Sequence, residues 1–333
     1  MPSSFPIPSC PSTLTPSCRP TPDASQREPT LPDYSFEPED IDLPKGAWAR
    51  THRRRLFLDG RPVLALTQGQ HRAYVFPLYT PAGFLVTAER PADHPHHASL
   101  WIGADHVDTL VPAVGGTVED YTYNFYVDEV FQGRAPGRIL ETSVSGTASG
   151  DGRFEIRQRL DWRGPPEWGA DDGRLVATEE RRFVVSTSAR RHRIDVTSTF
   201  TPAACPVRLG PTRHAWFNVR VADSLIAANG GRLRDDRGRE GGAAICGEGA
   251  TWVDFTGPVG GGREAGVSVV PHPVDSRKPF WFAADWGVVS VGHFRSAPLL
   301  LDQGRTYQSR YTVLVHDGEA DQDENDAIAR ETS

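Results

Sequence analysis

The sequence predicts an all-β protein built as one large antiparallel β-sandwich. Three observations carry that prediction. Apolar and polar residues alternate with a period of two in segment after segment, the pattern of a half-buried strand. Clusters rich in glycine and proline punctuate those segments as turns. No window of about twelve residues in the body of the chain carries an apolar stripe at helical spacing.

The strand segments follow one another along the chain. Tyr74, Phe76 and Leu78 alternate with other residues, and Phe154, Ile156, Leu160 and Trp162 do so with charges between them. Ile194, Val196 and Phe200 repeat the theme, as do Tyr307, Tyr311, Val313 and Val315. SGDGR (Ser149 to Arg153), RGPPEWG, ANGGR and VGGGR read as turns. The 333 residues include Gly 32 and Pro 28, both of which break regular helix. No repeat of fixed period is visible, which argues against a propeller. Residues 36–318 therefore read as a single domain, long enough to bury a sizeable core. Residues 1–35 are rich in Pro, Ser and Thr and cannot bury enough apolar surface to offset their ordering entropy, so disorder or an extended path is expected there. Residues 319–333 are acidic and polar, and are expected to be a tail with at most a short frayed helix.

Composition excludes several function classes. The formal net charge is −7, from Lys+Arg 36 against Asp+Glu 43, and Arg53-Arg54-Arg55 is too short to make a basic stripe. A nucleic-acid partner is therefore not expected. Cys10, Cys18, Cys205 and Cys246 form no CxxC pair, so neither a cysteine zinc site nor a disulfide framework is expected. The chain starts without a basic and then apolar leader, and no run approaches the roughly 18 apolar residues of a membrane span; a cytoplasmic location away from membranes follows as the expectation. There is no GxGxxG between strand and helix, no Walker sequence and no GxSxG elbow.

The densest chemical feature is Asp93-His94-Pro95-His96-His97, which holds three of the eleven histidines. Pro95 fixes its own φ and biases His94 toward extended geometry. In an extended segment His94 and His96 share one face and His97 points the other way. Paired imidazoles can act as acid and base or bind a metal. The competing structural reading is a polar loop whose histidines bond to backbone. SLWIG (Ser99 to Gly103) reads as a buried strand that would hold the cluster rigid. A metal site needs further ligands, for which His106, His214, His293, Asp105 and Glu119 are candidates.

A second feature is GPTRHAWFNVRVADSL, residues 210–225. Arg213 suits a carboxylate or a hydroxyl-rich ligand, and Trp216 suits stacking on a sugar face. Alternation would put His214, Trp216 and Asn218 on one face; the competing reading is a strand with one wet side. A third, FWFAADWGVVSVGHF, contributes Asp285, Trp286 and His293, with a turn expected at Asp285-Trp286-Gly287. His316-Asp317-Gly318 reads as the end of the last strand.

These motifs carry a resemblance. YVFPLYTPAG, DHPHH followed by LW, FNVRVADSL, TWVDFTGP, FWFAADWG and RYTVLVHDG occur in that order. The set resembles the bacterial DUF6807 proteins, often labelled the PmoA family, over roughly residues 50–318. That family is similar to the galactose-mutarotase-like β-supersandwich and is encoded among sugar-catabolic genes, so the resemblance implies that fold and carbohydrate chemistry. The label suggests methane oxidation, which nothing in this sequence supports. Family members tend to have HPHHRGLW where this chain has HPHHASLW, with Ala98 and Ser99. They tend to carry Lys-Glu and small residues where it has Arg213-His214-Ala215-Trp216, and Arg-Asp-Tyr-Gly where it has Ala284-Asp285-Trp286-Gly287. Each change alters charge at a site position and leaves room for a different substrate.

The leading expectation is an enzyme acting on a sugar or sugar-like polyol by epimerisation, β-elimination or C–O cleavage. One of His94, His96 and His97 serves as acid or base and Asp93 orients it. His214 or Asp285 opposes it. Arg213 holds an anionic or hydroxyl group, and Trp216, Asn218, Trp286 and His293 contact the substrate. No cofactor is expected in that case. One alternative is a metal-dependent hydrolase or oxygenase with a divalent metal on His94, His96 and His106. Another is a non-catalytic carbohydrate-binding module. The partner in each case is a small carbohydrate-like molecule; homo-oligomers remain open.

Overall fold

The period-two segments become strands with the expected sidedness. Along Phe154–Arg163, Phe154, Ile156, Leu160 and Trp162 are buried while Arg157 and Arg159 are exposed. Along Arg191–Pro202 every second residue from His192 is buried. The computed structural model describes residues 32–39, 52–167, 169–274 and 277–331. The disorder expected for residues 1–31 lies outside the described residues.

Two eight-stranded antiparallel sheets form the body. The first runs in the order Tyr34–Glu39, His52–Leu58, Arg61–Gln68, Ala73–Leu78, Leu100–Ala104, Ala215–Arg220, Val288–Gly292, Phe280–Ala284. The second runs Arg232–Asp235, Val253–Gly260, Arg263–Pro271, Tyr307–Asp317, Arg191–Pro202, Leu175–Thr187, Phe154–Arg163, Arg138–Ala148. A five-stranded sheet contains Val107–Pro112 and Val118–Asn124 at its centre, with Val207–Leu209 beside the former. The architecture is an all-β sandwich, as the turn spacing predicts.

One hydrophobic core joins the two large sheets. Trp162 stacks on Trp216 at 5.2 Å, and Phe217 on Tyr311 at 4.2 Å, each pair bridging the sheets. A buried ion pair ties them as well. Arg181 bonds Glu179 at 2.8 Å and donates across the core to the carbonyls of Ala73 (3.0 Å) and Ile102 (3.4 Å). Glu179 also accepts from Trp162 Nε1 and Ser198 Oγ. A buried pair is tolerated when its remaining donors and acceptors are met in this way.

The first sheet departs from simple alternation. Leu100–Ala104, Ala215–Arg220 and Val288–Gly292 are buried at every position. Tyr74 and Phe76 belong to a second cluster, with Ala98, Trp101, Tyr126 and Val288, on the face away from the main core. These strands are thus covered on both sides, and the outer cover carries the candidate site.

The acidic segment expected as a tail is instead largely a packed helix, Gln322–Glu331. Its Ile328 is buried against Trp252, Val270 and Leu314. Asn325 donates to Ser268 Oγ, and Trp252 Nε1 donates to Asp326 at 2.7 Å. At the other end, Tyr34–Glu39 pairs with His52–Leu58, so Tyr34 and Ser35, expected in the tail, are in a strand. Among the described residues no helix is long and apolar enough to cross a membrane.

Candidate active site

The site lies on the outer face of the first sheet. Pro91 to His97 does not run extended as Pro95 suggests. It makes two successive turns, closed by His94 N–H to the Pro91 carbonyl (3.1 Å) and His97 N–H to the His94 carbonyl (2.9 Å). The reversal brings all three imidazoles to one cavity, which corrects the expectation that His97 points away. His94 and His97 lie parallel at 4.8 Å, and His96 stands edge-on to both. The turns hand the chain to Leu100–Ala104 through Ser99, whose φ of 60° is a glycine-like value.

Asp93 fixes the first imidazole. Its carboxylate accepts from His94 Nδ1 at 2.9 Å and takes both Nη groups of buried Arg220 at 3.0 Å. Desolvation acts to raise the Asp93 pKa, but the bonds from His94 and Arg220 outweigh it and hold the carboxyl at about 2. Arg220 also sits over the Trp286 ring, 5.1 Å from its centroid, and His94 stacks on that ring at 4.2 Å. Trp286 is carried by the turn between Phe280–Ala284 and Val288–Gly292, where Gly287 has a φ of 100°. Among the described residues His94 Nε2 has no protein partner.

A second aspartate fixes another imidazole. Asp105 follows strand Leu100–Ala104, is buried, and accepts from His214 Nδ1 at 3.2 Å, His106 Nδ1 at 2.9 Å and Thr212 Oγ1. Burial alone would raise its pKa; the bonds from His214, Thr212 and His106 bring it to about 2. With Nδ1–H given to Asp105, His214 Nε2 is left as an acceptor, and Arg213 Nε donates to it at 3.2 Å. His106 mirrors this, receiving Arg134 Nη1 on Nε2 at 3.1 Å.

Between the two imidazoles lies Tyr126. Asn124 Oδ1 accepts from the backbone N–H groups of Tyr126 and Val127, an Asx turn that aims the tyrosine inward. The close approach needs Gly103, because a Cβ there would meet the Phe125 carbonyl oxygen at 2.5 Å. Tyr126 stacks on His214 at 5.2 Å and lies edge-on to His97 at 6.0 Å; burial pushes its hydroxyl up to about 12. Val127, Glu129, Phe131, Phe282 and Arg213 complete a cavity of about 340 Å³.

Burial sets the charge of the floor. His96 is pushed down to about 4 by desolvation, then by Arg72 and His94. His97 falls to about 2 through desolvation and its two histidine neighbours. Both shifts favour the neutral imidazole at physiological pH. Buried Arg72 donates to the His96 carbonyl at 2.8 Å and pairs with Asp128, which holds the turn in place.

Several predicted residues fall elsewhere. Trp216 is core, packed among Trp162, Phe200, Phe294 and Tyr307, so it offers no face to a sugar. Asn218 is buried and spends its amide N–H groups on the carbonyls of Trp101 and Trp216. His293 is buried against the Tyr307 hydroxyl at 2.9 Å. Asp285 accepts from Gly242 N–H at 2.7 Å and does not line the cavity, so it is not the group that opposes His94. His106 lies beyond Asp105, held by Arg134, and Glu119 sits on an exposed strand against Tyr121. The trio His94, His96 and His106 therefore does not converge, and among the described residues no three His, Cys, Asp or Glu side chains are placed to share a metal ion. The sequence offers Asp105 only as a candidate metal ligand and gives no role to Tyr126 or Arg220. A larger open groove of about 740 Å³, around Pro62, Thr80 and Ser188, has one buried imidazole, His192, held by Thr187, and no opposing pair.

Solved structures offer distant likenesses. The Slr1438 protein of Synechocystis sp. PCC 6803 is 10% identical, with 84% of this chain and 99% of that one covered at a TM-score of 0.31. An Escherichia coli K12 protein assigned as an aldose 1-epimerase is 9% identical, with 85% and 99% covered at a TM-score of 0.33. No curated protein matches the chain. A family profile does match, over residues 55–330, and on that match the chain belongs to the family of unknown function DUF6807.

Proposed function

We propose that the protein is an enzyme that moves protons on a sugar or sugar-like polyol, with His94 and His214 as its acid and base. The supporting observation is the pair of aspartate-bound imidazoles at one cavity. Asp93 holds His94 by Nδ1 and Asp105 holds His214 by Nδ1, so each ring turns Nε2 away from its aspartate; that of His94 has no partner among the described residues, and that of His214 accepts from Arg213 Nε. The rings of His97 and Tyr126 lie between them, leaving room for a substrate to present different atoms to each.

Epimerisation, β-elimination and C–O cleavage share one requirement: one group takes a proton while another gives one. A neutral His214 accepts at Nε2, and its imidazolium is stabilised by Asp105. His94 gives a proton from Nε2 while Asp93 holds its Nδ1. His96 stays neutral and hydrogen-bonds to a substrate hydroxyl, while neutral His97, only 2% exposed, keeps its Nε2 on the Tyr126 hydroxyl at 3.5 Å. The cavity suits a monosaccharide-sized ligand, with Phe282 and Phe131 as apolar wall.

Proton NMR in D₂O over a panel of aldoses, ketoses, sugar acids and keto-sugars tests this reading. The expected result is solvent deuterium on carbon, or conversion of one panel member, by the native protein and not by His94→Ala. Binding of a panel sugar with neither exchange nor conversion would instead identify a carbohydrate-binding module.

A further inference from the structure

We infer that the substrate carries a carboxylate, as a sugar acid does, and that the Arg213 guanidinium binds it. The other arginines bordering the site already have carboxylates. Arg72 and Arg90 share Asp128, Arg134 reaches Asp105 at 3.8 Å, and Arg220 holds Asp93. Arg213 lines the cavity and, among the described residues, has none. Its guanidinium lies over the Phe282 ring, 5.2 Å from the centroid, and spends only Nε, on His214. Among the described residues neither Nη group has a protein partner. A planar cation held on an aromatic ring beside a cavity presents the fork that a carboxylate fits with two parallel hydrogen bonds.

The charge count favours a carboxylate over a phosphate. Glu129 also lines the cavity and offsets one positive charge, so a doubly charged phosphate meets more repulsion there than a singly charged carboxylate. The same contact connects recognition to chemistry. Arg213 Nε caps the Nε2 lone pair of His214. A substrate anion that draws the guanidinium toward itself uncovers the base, so a neutral sugar leaves His214 capped.

This inference rests on the cavity being the substrate site, but binding alone tests it, and its failure would leave the proton-transfer reading standing. Calorimetry would compare D-galacturonate and D-glucuronate with D-galactose, D-glucose and their phosphates, on the native protein, R213Q and R213K. The native protein is expected to bind an acid about tenfold or more tightly than its neutral counterpart. That advantage disappears in R213Q and is partly kept in R213K, which retains the charge but not the fork. Equal binding of acid and neutral sugar, preference for the phosphate, no binding of either acid at millimolar concentration, or an advantage that survives in R213Q would each overturn it. Should R213Q fail to fold, salt decides: acid binding by the native protein weakens as ionic strength rises, and a salt-independent affinity refutes the ion pair.

Discussion

Replacing Asp105 with Asn removes one charge and keeps the shape, which makes it the sharpest probe of the second aspartate. The carboxylate now accepts from His214, His106 and Thr212. An amide has one acceptor oxygen, and its N–H₂ faces an imidazole N–H, so His214 must change tautomer or lose its bond. The carboxyl is held at about 2 against an ordinary 3.8. That difference corresponds to roughly 2.5 kcal/mol of stability at neutral pH. The sign follows from the depressed pKa: the contribution is present above the ordinary carboxyl pKa and lost as pH falls toward about 2. We expect D105N to be about 2–4 kcal/mol less stable by urea denaturation, because buried donors also go unmatched. Turnover should fall by about 10²–10⁴-fold, with His214 shifted away from the Nδ1–H tautomer in nitrogen-detected NMR. Stability loss with undiminished turnover would show that Asp105 is structural and that His214 is not the base.

Other perturbations have equally definite outcomes. Ser99→Gly relieves a left-handed φ of 60° and removes a buried hydroxyl that has no partner among the described residues, so Tm should rise by the equivalent of about 1 kcal/mol; an unchanged or lower Tm refutes the strain. Trp216→Ala should cost about 3–5 kcal/mol as a core deletion, whereas Trp286→Ala should cost less and abolish substrate binding; comparable stability losses would contradict the division between core and site. His316 is buried, which lowers its pKa, but Asp254 outweighs that and raises it; the imidazolium donates to Asp254 and to the Gly318 carbonyl. That stabilisation is complete below the ordinary histidine pKa of about 6.5 and fades as pH rises through the raised value, and Asp254→Asn should abolish the dependence when stability is followed by Trp252 fluorescence.

Much of the fold is legible in the sequence because burial on one face leaves a period of two, as at Phe154 to Trp162. The pattern fails where a strand is covered twice: Tyr74 and Phe76 look like core residues but face the second cluster that underlies the site. Gln322–Glu331 looks like a solvated tail because few of its residues are apolar, yet Ile328 is buried beneath it and polar contacts at Asn325, Asp326 and Glu324 hold it to the sheet. The density of DHPHH marks it as a candidate site, but two chain reversals outweigh the extended bias before Pro95, so its geometry is not legible in the sequence. Asp105 could not be paired with His214 from sequence, since 109 positions separate them and only the pairing of Leu100–Ala104 with Ala215–Arg220 brings them together. Trp216 and Asn218 were assigned to the site by alternation from His214, but Trp216 enters the main core instead.

Whether His94 and His214 act together on one substrate is decided by the turnover of His94→Ala, His214→Ala and the double variant. Groups acting as a unit are not additive, so each single variant should lose about 10²–10⁴-fold in kcat/KM and the double little more. Full turnover in either single variant would contradict the claim.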